Sequence, residues 1–176
     1  FNAHGVHAVG LQQIIDEGGC GKNLLYREFT SKDDLVVAYL ERCRQDWMAT
    51  VDQAIRPLDG DPAGQLVAIV RAVADKATLP GTRGCALRNT HAEFPDATHP
   101  AHKIAVDHFS TLRAQLRTLA DQAEARNPGM LADRIMLIIE GLYANGAVLD
   151  GDDALTTTAV AFAEEVVLAQ TQKTLT

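Results

Sequence analysis

Aromatic residues are scarce in this chain: five Phe, three Tyr and one Trp, or 5% of 176 residues. With few β-branched runs beside them, that scarcity leans the chain away from sheets and toward helices. Cysteine is scarcer still. Cys20, Cys43 and Cys85 are odd in number and irregularly spaced, which disfavours a disulfide framework or a zinc site and suits reduced thiols. No apolar run approaches the ~18 residues of a membrane span, and no leader pattern is visible, so a cytoplasmic protein with no membrane partner is expected. Positive charge is short too. Sixteen Lys and Arg face 23 Asp and Glu, and the net −7 argues against a general polyanion binder. No nucleophile–base signature, Walker loop or dinucleotide fingerprint appears, so neither an enzyme nor a cofactor is expected.

Hydrophobic residues make up 47% of the chain, enough for one compact domain or two small ones. The most informative stretch is Leu11 to Phe29, followed by Thr30-Ser31-Lys32. Leu11, Ile14 and Ile15 give a first helix one apolar stripe. Gly18-Gly19 ends it, because glycine enters the left-handed conformation without steric cost. Cys20 is small enough for the buried seat inside a turn. Leu25 and Phe29 form the inward stripe of a second helix and leave Lys22, Asn23, Tyr26 and Arg27 nearer the outside. Ser31 before Lys32-Asp33-Asp34 reads as the N-cap of a third helix. This is the layout of a helix-turn-helix, whose second helix lies in the DNA major groove. An ordinary pair of core helices with a Gly-Gly break is the alternative that spacing leaves open.

Further helices follow, joined by short breaks, with no β pattern and no internal repeat. Leu35, Tyr39, Cys43 and Trp47 stand four apart on a long helix from about Lys32 to Ile55, and a domain boundary is placed near Trp47. Arg56 to Pro62 is a break; helices follow over about Ala63–Ala77, Gly84–Phe94 and Ala101–Arg126, with Pro80-Gly81, Pro95 and Asn127-Pro128-Gly129 between them. The fold class is therefore all-α: an N-terminal helix-turn-helix three-helix domain over 1–46 and a larger C-terminal helical domain over 47–176. His91, Glu93, His99, His102 and His108 are dense enough to suggest a metal, but His99 and His102 straddle Pro100 at a helix start. A solvated, partly capping cluster is the better reading. Cys85 between Arg83 and Arg88 is read as a buried neutral thiol rather than an activated one.

Gly5, Ile14, Gly19, Leu25-Tyr26, Phe29, Ser31-Lys32 and Leu35 stand at intervals that resemble the TetR family of transcriptional regulators through about the first 45 residues. Gly84-Cys85, Glu93 and the long C-terminal helices are similar to one large branch of it. The resemblance implies an all-helical homodimer on a palindromic double-stranded DNA operator, with a C-terminal pocket for a small-molecule effector. It also implies that Phe1 falls near the end of the family's first helix. Three places depart from the pattern: Gly21 where Ser or Thr caps the second helix, Val9-Gly10 where Thr-Ser is usual, and Glu28 where His is common. Residues 1–46 carry five basic against seven acidic side chains, a weak electrostatic footprint for a DNA binder.

On this reading Gly21 begins the DNA-facing helix. Lys22, Tyr26, Arg27 and Lys32 hold phosphates, while Asn23 and Leu24 meet base edges. In the family's architecture Trp47, Met48, Cys85, Leu87, Phe94, His108, Phe109, Leu112 and Tyr143 lie on helices that enclose a cavity for a hydrophobic or aromatic compound, although each could equally be plain core. Leu131, Ile135, Ile138 and Leu142, with Leu155, Phe162 and Val166, are the expected dimer interface, and Gly141, Ala144 and Gly146 permit close helix approach. The expected function is a repressor released from its operator by ligand. A helical small-molecule-binding or interaction protein with weak or lost DNA binding is the competitor, and an enzyme in the C-terminal cavity ranks third.

Overall fold

Each apolar stripe becomes a helix with a chemically identifiable end. The computed structural model describes all residues except Cys20, 80–82, Ala147, 149–152 and 172–176; among the described residues it holds eight α-helices and no strand, the all-α fold class expected. They are α1 (Leu11–Gly18), α2 (Lys22–Glu28), α3 (Lys32–Ile55), a short 3-10 turn (Arg56–Leu58), α4 (Pro62–Ala77), α5 (Ala86–Glu93), α6 (Pro100–Gln122), α7 (Pro128–Gly146) and α8 (Asp153–Thr171). The turn roles read for Cys20, Pro80-Gly81 and 150–152 lie outside the described residues.

Caps set most of these boundaries. Gly19 takes φ 61 at the C-cap of α1. Ser31 Oγ accepts the Asp34 N–H at 3.0 Å and starts α3, and the Asp61 carboxylate does the same for Gly64 at 2.9 Å with Pro62 in the first helical position. Asn127 Oδ1 accepts from Met130 N–H at 3.0 Å, so the Asn-Pro-Gly break is in fact the cap of α7. α6 stops at Gln122, short of the Arg126 expected. Glu124 takes φ 53 and the Ala125 N–H returns to the Ala120 carbonyl at 3.0 Å, a left-handed closure with no glycine to announce it.

The helices gather into two units that interleave along the chain: Phe1–Asp46 with Cys85–His108, and Trp47–Gly84 with Phe109–Thr176. Two of the three unit boundaries fall inside α3 and α6, and the third lies between Gly84 and Cys85, ahead of α5. A single cut after residue 46 does not anticipate this, since Cys85–His108 folds with the N-terminal helices. The first unit buries Val6, Val9, Leu25, Val36, Leu40, Leu87, Thr90, Phe94, Ala101 and Ala105.

The second unit is built on α4, which packs against both α7 and α8. Leu66, Ile69 and Val73 of α4 meet Leu112 and Leu116 of α6, Ile135 and Ile139 of α7, and Val160 and Val167 of α8 in one core. This packing corrects part of the expected dimer surface. Leu131, Ile135 and Leu142 are 0%, 0% and 1% exposed inside the subunit. α7 is apolar around most of its girth, so spacing alone does not say which side meets α4. The side left in solvent carries Leu137 at 72%, beside Phe162 of α8 at 53%. Ile138 and Val166 are largely buried and Leu155 is half-buried, and all three line a groove of about 590 Å³ with Leu137 and Phe162.

Candidate nucleic-acid interface

Helix α2 turns almost everything it has toward water. Leu25 is its one buried residue; Lys22, Asn23, Leu24, Tyr26, Arg27 and Glu28 are exposed. Leu24 and Tyr26 are 44% and 46% exposed, unusual for large apolar side chains on so short a helix. Gly21 is the N-cap, in extended conformation, and no side chain caps the first turn. The Leu24 N–H closes on the Gly21 carbonyl at 2.9 Å, so the first turn is held through the backbone. Phe29 is half-buried, and its N–H closes on the Leu25 carbonyl at 2.9 Å. α1 packs against α2, so the corner has the geometry of a helix-turn-helix.

Several charges of this unit are arranged in pairs. Arg27 donates from Nε and Nη2 to Glu28 Oε1 at 3.1 and 3.0 Å, so a carboxylate that would by itself repel phosphate engages the neighbouring guanidinium. Both are exposed, and such a pair is weak enough for a phosphate to displace. Lys22 Nζ lies 5.8 Å from the centre of the Tyr26 ring, which steadies the ammonium on the outer face. Lys32 is half-exposed at the start of α3. Arg42 and Arg44 pair with Asp46 and Glu41 on α3. Asp34 keeps its carboxyl below the usual range because the Thr30 and Ser31 hydroxyls donate to it. The expected DNA-facing set thus shares one short exposed helix and the start of the next.

Residues 1–39 match the family described as bacterial regulatory proteins, tetR family. The structure of SCO4454, a TetR-family transcriptional regulator from Streptomyces coelicolor, superposes with a TM-score of 0.88 at 30% identity, covering 98% of this chain and 90% of that one. The chain belongs to the TetR family of transcriptional regulators. The HTH-type transcriptional activator FasR of Mycolicibacterium smegmatis is 39% identical over 56 residues, 32% of this chain; the match spans about a quarter (26%) of that protein's length. The regulatory protein TetR from Rhodobacter sphaeroides shares the fold, with a TM-score of 0.74 at 21% identity over 92% of this chain and 91% of that one.

In this TetR-family regulator the residues expected to line an effector pocket divide between the two units. Cys85, Phe94 and His108 are buried in the first. In the second, Leu112 is core, Trp47 and Tyr143 pack half-buried against that core, Phe109 is half-buried, and Met48 is 51% exposed. Phe94 is already engaged, its ring 4.8 Å from His7 and 4.4 Å from His99. The histidines do cap and brace. His99 Nδ1 accepts from the Ala101 N–H at 3.1 Å, His102 Nδ1–H donates to the Phe94 carbonyl at 2.8 Å, and the His91 and His102 rings lie 4.5 Å apart, tilted by 36°. Among the described residues, no three of His, Cys, Asp or Glu converge as metal ligands, and no helix is long and apolar enough to cross a membrane.

His108 differs from the other histidines. It is 3% exposed, and burial, with a smaller push from the Arg44 guanidinium, lowers its pKa to about 4. The folded protein therefore keeps His108 neutral where the unfolded chain, titrating near 6.5, takes up a proton. Stability is fully present above about pH 6.5 and falls as the pH drops toward 4. Urea unfolding at pH 7 and pH 4.5 should show a loss of about 1–3 kcal/mol from this group. His108→Gln should flatten the slope between those values; an unchanged slope would assign it elsewhere.

Proposed function

We propose that this regulator is a repressor that binds a palindromic duplex operator as a homodimer and leaves it when a hydrophobic or aromatic effector binds. The carrying observation is the exposure of α2, which offers Lys22, Asn23, Leu24, Tyr26 and Arg27 together while Leu25 alone anchors it. Two such helices, one per subunit, would enter successive major grooves about 34–36 Å apart. Lys22, Tyr26, Arg27 and Lys32 hold phosphates, and Asn23 and Leu24 read base edges. α3 carries Lys32 at one end and Trp47 further along, so an effector near Trp47 that tilts this helix changes the spacing of the two readers. To regulate, the effector binds the tilted state more tightly, with a coupling of about 1–3 kcal/mol.

The test is selection of an operator from a random duplex pool, followed by titration of variants. Tyr26→Ala should weaken operator binding roughly tenfold, through the lost contact and the unsteadied Lys22, with effector affinity nearly unchanged. Equal loss of both affinities would argue against separate reader and sensor. A reporter behind the selected operator should rise when the chain is absent; a fall would make it an activator, as FasR is named. The pairing of Arg27 with Glu28 favours a second reading, a helical binding protein without useful DNA affinity, which failure to select any sequence would support.

A further inference from the structure

Residues far apart in sequence meet just ahead of the reading helices. Glu93, the last residue of α5, accepts the Val6 N–H on Oε1 at 3.0 Å and the His7 N–H on Oε2 at 2.7 Å. The Glu93 carbonyl accepts from His7 Nε2–H at 2.8 Å. Gly5 makes the approach possible. It takes φ 84, and a Cβ there would stand 2.9 Å from Glu93 Oε1 and 3.3 Å from Oε2. Next to Glu93, Phe94 lies against His7 and His99, and His99 Nε2 reaches Asp33 of α3 at 3.4 Å. The end of α5, the start of α6 and the first turn of α3 thus close on the segment that feeds α1. Val6 and Val9 are buried at 2% and 4%, so apolar burial already retains that segment. What the carboxylate adds is direction, because two successive N–H groups on one charged acceptor fix the backbone's orientation as well as its place.

We infer that Glu93 is a positioning residue for DNA reading: through the Val6 and His7 amides it sets the angle at which α1 and α2 are presented. The inference rests on the proposed DNA-reading role of α2. It also gives changes in α5 and α6 a route to the reader that bypasses α3. A purely structural residue would lower stability and bind all DNA proportionally less well; a positioning residue alters the discrimination between sequences.

The experiment uses the full chain, an operator selected by the wild type and a scrambled duplex of equal length. In Glu93→Gln an amide replaces one acceptor with a donor facing an N–H. The operator-to-scrambled affinity ratio should fall at least tenfold, with scrambled binding within about twofold of wild type. Glu93→Asp, which keeps the charge but is too short to reach both amides, should lower the ratio by less. A second measurement needs no variant: in the wild type, the Val6 and His7 amides should exchange with deuterium at least tenfold more slowly than in a peptide of the same local sequence. Unprotected amides, or folded variants with the wild-type ratio, overturn the role of Glu93 while leaving the regulator reading intact. Failure of the wild type to prefer any sequence overturns both.

Discussion

Gly146→Ala should cost roughly 2–4 kcal/mol and lower the thermal midpoint by about 5–15 °C. Gly146 ends α7, Ala77 ends α4, and both are buried. A methyl on Gly146 would sit 2.3 Å from the Ala77 carbonyl oxygen and 2.9 Å from its carbon. Both are backbone atoms, with no flexible side-chain end to yield, so the two helix ends must part. That opens the core in which Val73 and Ala77 of α4 meet Ile139 and Leu142 of α7. Gly141 is the control on the same helix. A Cβ there meets nothing within 4 Å, so Gly141→Ala should be neutral or stabilise the subunit by up to about 1 kcal/mol, the ordinary gain of alanine over glycine in a helix. Thermal unfolding of the two variants side by side checks the pair. Equal midpoints would mean that α4 and α7 do not approach as described.

The two glycines also show what a sequence can and cannot convey. A glycine on an apolar helix marks a close approach but does not say to what. Gly146 permits the close helix approach expected of it, and the helix it seats is α4 of its own subunit. The helices themselves were legible because their signals are local: Ser31 caps within three residues, Gly19 stops α1 where it stands, and α3 spans Lys32–Ile55 as the four-residue stripe predicts. The faces of α2 were legible for the same reason, since Leu25 turns in and Lys22, Asn23, Tyr26 and Arg27 turn out. The contacts of Glu93 were not. Its partners lie 86 and 87 residues away, and no periodicity joins residues at that distance. Neither was the sidedness of α7, where Leu131, Ile135 and Leu137 are equally hydrophobic and only packing against α4 separates the first two from the third.

That separation leads to the largest effect expected of any substitution here. Leu137→Glu combined with Phe162→Glu should convert the proposed dimer to a monomer and lower operator affinity by roughly 10²–10⁴-fold. Leu137 and Phe162 are 72% and 53% exposed, far more than Ile138 and Val166, which line the same groove. They flank a groove whose floor includes Ile138, Gly141 and Ala159 and whose polar margin includes Arg134 and Asn145. An apolar centre with a polar margin is the anatomy of an interface. A carboxylate placed there is harmless in a monomer, since the site is solvated, but in a two-fold dimer it is buried against its own copy. The monomer then meets one half-site at a time and loses the gain from joining two. Light scattering at micromolar concentration should show half the wild-type mass, with the helical circular dichroism of the subunit retained. Retention of the dimer with both carboxylates in place would locate the contact on another face, and tight operator binding by a true monomer would remove the two-fold reader altogether.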